Sequence, residues 1–187
     1  MRPRWRNGDH GYGVVTKTLH WLTLLLLAAQ FLVGYSLERA DGILDGAVDR
    51  WLSGEDDRLV VVHVMLGGAI LVVASTRLLW RLTTPLPPWA EGLSELERRV
   101  VHRVEQVLYA TLFLIPSTGL GLVTVTGEDW DLEGGEWETR WDLVDDDVVL
   151  AAHITTHVLF FAALAVHVGL VLKHQIVDRD RLLDRML

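Results

Sequence analysis

The stretch VVLAAHITTHVLFFAALAVHVGLVLK, Val148 to Lys173, decides the fold. Its run of about 25 mostly apolar residues, at roughly 1.5 Å rise each, reaches about 38 Å, enough to cross a hydrocarbon core of about 30 Å. A transmembrane helix is the expectation. Yet the stretch carries His153, His157 and His167. An ionisable side chain at membrane depth needs a partner where water is scarce, which makes it a functional candidate by default. His153 and His167 are fourteen residues apart, so at about 100° per residue they lie within roughly 40° of each other and about 21 Å apart along the axis. One helix face therefore offers two imidazoles, one near each membrane surface, and they cannot share a single metal.

Working outward, three further apolar blocks match the first: roughly residues 16–37, 59–81 and 102–125, beside 148–173. Each is close to the twenty residues that a span requires. The expectation is an all-α membrane protein, a four-transmembrane-helix bundle formed by one domain over residues 1–187. The first block follows a basic start, as a signal peptide would, but is too long for that and lacks a small-residue cleavage site, so it reads as retained. The chain has no cysteine. Disulfides, thiolate-ligated haem, covalently attached haem and cysteine-held iron–sulfur clusters are excluded by inventory.

Charge is sorted along the chain. Thirteen of the seventeen Lys and Arg lie in the N-terminal tail, the middle loop with its flanks, and the C-terminal tail. The other four, Arg39, Arg50, Arg58 and Arg140, lie in the two remaining loops. The positive-inside rule then places both termini in the cytoplasm. The two outer loops hold seventeen of the 25 carboxylates. The first is interrupted by Ile43-Leu44 and Trp51-Leu52, a pattern for a short amphipathic surface helix; the second places Trp130, Trp137 and Trp141 among its acids, a composition for the water interface.

The other histidines fall at matching depths. His20 opens the first span beside Trp21, and His63 lies near the start of the second, one turn before Gly67-Gly68. In an alternating topology His20 and His167 share the cytoplasmic side, and His63 and His153 share the outer side. Two bis-histidine haem sites result. Such ligation leaves iron no vacant position and favours one-electron transfer over oxygen binding. Gly67 would let a macrocycle approach the helix, although small residues also serve helix packing. Arg77 and Arg81 read first as snorkelling positive-inside anchors, with haem propionates as the functional alternative. His102 and Pro116-Ser117 read as a surface histidine and a kink. The His153/His157 pair, sharing a face, could instead chelate zinc or copper, but no further intramembrane Cys, Asp or Glu completes such a site; His157 therefore reads as structural or as a supporting residue. His174, beside Lys173 just past the last span, is a candidate proton donor or acceptor at a quinone site, with an ordinary surface histidine as the alternative.

At these residues the chain resembles the bacterial cytochrome b561 family of four-span di-haem b proteins, related in pattern to hydrogenase b-type cytochromes. The carriers are Leu19-His20-Trp21, His63 with Gly67, Arg77-Leu-Leu-Trp-Arg81, Ala165-Val-His167, Leu172-Lys-His174, Asp178-Arg-Asp-Arg181 and Arg185-Met186-Leu187. The resemblance covers nearly the whole chain. It implies two haem b groups on His20, His63, His153 and His167, a bacterial inner-membrane location and quinone as redox partner. Members of that kind include superoxide oxidases, which pass electrons from superoxide outside to ubiquinone. The acidic outer loops would repel superoxide at long range, with Arg58 the local positive exception, so a donor on the outer side feeding quinone is the main reading. The runner-up is a superoxide:ubiquinone oxidoreductase. Behind these stand a membrane subunit of a larger dehydrogenase or hydrogenase, and a proton or metal transporter, which the absence of mid-span Asp or Glu disfavours.

Overall fold

The structure, a computed structural model, describes residues 5–8, 11–37, 57–89, 92–125, 130–132, 135–137, 143–180 and 182–186. Four long helices dominate: α1 (Val14–Leu37), α2 (Asp57–Thr83), α3 (Glu95–Thr124) and α4 (Asp146–Leu172). All four are long and apolar enough to cross a membrane. Two short strands, β1 (Trp130–Leu132) and β2 (Gly135–Trp137), pair antiparallel in the α3–α4 connection, with Trp130 opposite Trp137. The surface helix expected around Ile43-Leu44 and Trp51-Leu52 lies outside the described residues, as do the side chain of Arg58 and much of both acidic loops.

Local chemistry sets the helix ends. Pro85, Pro87 and Pro88 stop α2, since proline cannot continue the backbone ladder. Ser94 starts α3 with a capping box: its hydroxyl accepts from the Glu97 N–H while the Glu97 carboxylate accepts from the Ser94 N–H. Residues 95–101, ahead of the expected third span, form the first turns of α3, and one helix runs on through Pro116. Asp145 caps α4 by accepting from the Asp147 N–H. After Leu172 the helix widens into a π-helical turn, Lys173–Asp178, which ends at Arg179 in the left-handed region (φ 55°). A 3-10 turn, Leu182–Arg185, follows.

Along the spans, Thr23, Ser36, Thr76, Thr118, Thr124 and Thr155 donate their hydroxyls to the carbonyl four residues earlier. Each removes a polar hydrogen from lipid without needing water. Packing follows chain order: α1 on α2, α2 on α3, α3 on α4. The buried apolar centre is small, made of Ile70, Ala74 and Leu112 with Leu26, Leu27 and Phe113 against it. Large side chains such as Leu25, Met65, Val72 and Val158 point outward, an arrangement that suits lipid as the surrounding solvent and not water. Between α1 and α4 close backbone approaches are few at most among the described residues, and rings face each other across the gap. Phe31 of α1 lies 5.5 Å from Phe160 and 4.7 Å from Phe161 between centroids.

Candidate haem centres

The fourteen-residue step on α4 places its two histidines at opposite ends of that gap. At one end the rings of His20 and His167 lie 6.3 Å apart between centroids, with planes 54° apart. Two imidazoles on opposite sides of one metal, each bonded at about 2.0–2.1 Å, set their ring centres roughly 6 Å apart. The spacing fits a bis-histidine metal between α1 and α4. Trp21 meets the His20 ring edge-on at 5.5 Å.

At the other end stand His63 of α2, against Gly34 of α1, and His153 of α4, against Gly119 of α3. His157 stands edge-on to His153 at 4.4 Å and to Phe31 at 5.3 Å. Among the described residues, no third carboxylate, cysteine or histidine atom lies within 4.8 Å to make the His153/His157 pair a compact metal site. That weighs against zinc or copper there.

Hydrogen bonds set which ring nitrogen is available. The Thr118 hydroxyl donates to the carbonyls of Leu114 and Ile115, so toward His153 Nδ1, at 2.9 Å, its oxygen accepts. His153 therefore carries its proton on Nδ1 and presents Nε2, the tautomer in which a metal-ligating histidine is held by a partner behind it. Gln30 donates its amide to His63 Nε2 at 3.0 Å, which puts the His63 proton on Nδ1 as well. Two buried atoms, His63 Nδ1 and Gln30 Oε1, are left without partners. Unpaired buried polar atoms are costly, on the order of 1–3 kcal/mol each, and mark a site arranged for more than the side chains present. His20 is the reverse: Arg77, a donor only, bonds its Nδ1 at 3.0 Å. Nε2 then carries the proton, and Arg77 must leave before that nitrogen takes a metal.

Two glycines make the rings' seats. A Cβ on Gly34 of α1 would stand 2.9 Å from His63 Cε1, and one on Gly119 of α3 would stand 3.0 Å from His153 Cε1. Gly67 has a different place. It is buried where a Cβ would meet Gln30 and Pro116 at 3.7 and 3.8 Å, ordinary contacts at a three-helix crossing. Arg77 turns inward onto His20, its guanidinium also 5.5 Å from the Tyr109 ring centre. Arg81 pairs with Glu105 of α3 at 2.7 Å. Both are therefore more than snorkelling anchors. His102 is exposed, as expected of a surface histidine.

Beyond the inner pair, His174 is only 2 % exposed, which removes the surface-histidine alternative. Its Nδ1 lies 2.6 Å from Asp180 and 3.2 Å from Asp178, while Nε2 is buried without a hydrogen-bond partner. Lys173 instead bridges outward, at 2.8 Å to Glu97 and 2.6 Å to Asp178.

A profile of prokaryotic cytochrome b561 matches residues 11–187. The chain belongs to the prokaryotic cytochrome b561 family. Among its relatives is a protein named probable superoxide oxidase CybB of Yersinia pestis, 25% identical over 180 residues, 94% of this chain and 95% of the relative. Another, named cytochrome b561 homolog 2 of Escherichia coli (strain K12), is 24% identical over 185 residues, 97% of this chain and 93% of the relative. Cytochromes b561 bind haem b and transfer electrons in membranes, and this chain, with its four spans, is a multi-pass membrane cytochrome.

Sequence reasoning missed Gln30, Gly34, Tyr109, Thr118 and Gly119. One of them had a signal. Gly34 is fourteen residues after His20, the same step that joins His153 to His167, and so faces the same gap.

Proposed function

We propose that this protein holds two haem b groups, one on His20 and His167 and one on His63 and His153, and carries electrons between a donor on the outer side and membrane quinone, with both termini cytoplasmic and the whole chain forming one membrane domain of the bacterial inner membrane. The observation that carries this reading is the pairing of histidines at both ends of the α1–α4 gap, one pair already at bis-imidazole spacing. When bound, each haem supplies a one-electron couple with no open iron position.

The chain's own residues do the rest. Thr118 and the seats at Gly34 and Gly119 hold the outer rings. Released from His20, Arg77 would meet the propionates, the anionic partners that its guanidinium is shaped to clamp. Gly67 supports this arrangement by letting α1, α2 and α3 close on Gln30, and Arg81 by its pairing with Glu105. At the cytoplasmic end, His174 holds its proton on Nδ1 toward Asp180, so Nε2 can accept a hydrogen bond from a quinol hydroxyl. Lys173 bridges Glu97 and Asp178 beside it, offsetting part of their charge.

The test is haem quantification with a reduced-minus-oxidised visible spectrum of detergent-solubilised protein. About two low-spin protohaems per chain are expected, reducible through quinol. One haem per chain overturns the two-site reading.

The name of the Yersinia relative favours a second reading, in which superoxide is the outer donor. Rapid stopped-flow reduction by superoxide, slowed in Arg58→Ala and matched by quinone reduction, is its expected signature. Slow reduction that Arg58→Ala leaves unchanged removes it.

A further inference from the structure

A second group of ligand-type side chains stands where α3 begins and α4 ends. The capping box that starts α3 fixes the Glu97 carboxylate, and the π-helical turn Lys173–Asp178 carries Lys173, His174 and Asp178 beside it. One ligand atom each from Glu97, His174 and Asp178 lies within 4.8 Å of the other two. Neighbouring acids alone make no site, and Asp145, Asp146 and Asp147 form a trio that meets the same distance while wholly exposed. His174 sets the first group apart. It is 2% exposed, and its Nε2 is buried with no hydrogen-bond partner among the described residues. That nitrogen stands 3.9 Å from Glu97 Oε1, too far for a hydrogen bond. With the ring proton on Nδ1, 2.6 Å from Asp180, Nε2 presents a lone pair beside a carboxylate oxygen. Two buried acceptors in that position call for a cation between them.

The chain already draws one cation to this place. The Lys173 ammonium lies 2.8 Å from Glu97 Oε1 and 2.6 Å from Asp178 Oδ2, yet it leaves Nε2 unpaired. Lys173 is exposed on a flexible stem, and pairs of this kind at a surface are weak, so a divalent ion can displace it. Three features choose the ion. An imidazole with two carboxylates is a donor set for zinc and its neighbours in the first transition row, whereas magnesium and calcium take oxygen ligands. Two ligands of tetrahedral zinc stand roughly 3.3–3.5 Å apart, so a movement of about half an ångström closes Nε2 and Glu97 on the metal. The Nδ1–H is held by the Asp180 carboxylate, the arrangement in which a zinc-binding histidine is aligned and made more basic.

We infer that Glu97, His174 and Asp178 bind a divalent ion of the zinc class, which displaces the Lys173 ammonium and takes the Nε2 lone pair. The metal site stands apart from the haem and quinone readings; the regulation that follows, metal and quinol competing for Nε2, rests on the proposed function. Equilibrium dialysis of zinc against the full haem-loaded chain tests it. One zinc per chain is expected, undisturbed by about a hundredfold excess of magnesium. His174→Gln should abolish binding. Glu97→Gln, which keeps the capping box, should weaken it by about tenfold or more, and it serves if the His174 variant does not fold. Lys173→Gln, which removes the competing ammonium, should tighten it. Asp146→Asn/Asp147→Asn, in the exposed trio, should leave it unchanged. No zinc bound overturns the inference, as does binding that survives Glu97→Gln, falls equally in the Asp146/Asp147 control, or weakens in Lys173→Gln; each of these marks an adventitious ion only. Zinc should also slow haem reduction by quinol in the native chain and not in Glu97→Gln. Zinc bound on these terms without that slowing supports the metal site and overturns the quinol role of His174 instead.

Discussion

At the scale of single residues, the ring partners are the part of the site that the sequence hid. Histidines advertise themselves in an apolar run, but Thr118 was one of many hydroxyls that could simply have bonded its own helix, and it does that too. What distinguishes it is the depth match to His153 across α3 and α4, which only packing reveals. Its effect should be electronic. A hydrogen bond accepted from Nδ1–H makes the imidazole a stronger donor to iron and stabilises the oxidised form. Thr118→Val removes that acceptor at nearly constant volume. The expected outcome is a rise in the outer haem's midpoint potential of roughly 40 mV, about 1 kcal/mol for a one-electron couple. A redox titration should show the inner haem unmoved. The glycine seats give a second check. Gly34→Ala places a Cβ 2.9 Å from the His63 ring and should lower outer haem content, whereas Gly68→Ala, which meets nothing within 4 Å, should leave it intact. Equal haem content in the two variants would show that the seat does not matter.

Elements were far more legible. Seven of the eight span ends fell within two residues of the observed helix ends, because twenty apolar residues in succession have almost no other stable use. The largest difference, α3 beginning at Glu95 and not near His102, comes from the Ser94–Glu97 capping box, which starts a helix whose first turns are polar and stand in water. The π-helical turn after α4 had no sequence signal; its wider winding is what brings His174 inward against Asp178 and Asp180. Helix periodicity itself carries the prediction at this scale. Because His153 and His167 are about 21 Å apart on one rigid helix, His153→Leu should remove chiefly the outer haem and His167→Leu chiefly the inner one. Visible spectra and haem counts of the two variants check this, and retention of both haems in either variant would reject the pairing.

For the whole molecule, the distribution of charge matters more than the net −8. Seventeen of the 25 carboxylates fall in the two connections over residues 38–58 and 126–147, and on the proposed reading a field of that sign would select donors by steering. Such a field would draw in a cationic donor and turn superoxide away, unless a local positive charge such as Arg58 gave it a route. The acids that begin α4 allow the two cases to be separated. Asp145 caps the helix through the Asp147 N–H, so it should be changed to Asn, which keeps the cap. Asp146 and Asp147 are exposed and can be reversed to Lys, at about 0.3–1 kcal/mol each from the helix dipole. In this triple variant, reduction by superoxide should speed up and reduction by a cationic donor should slow, each by about tenfold at low salt. Both changes should shrink as ionic strength rises and the Debye length falls below about 10 Å. Stopped-flow reduction at two salt concentrations reads all four rates. If the variant and the native protein give the same rates with both donors at low salt, the acidic face does not choose the donor, and its function reduces to solubility at the membrane surface.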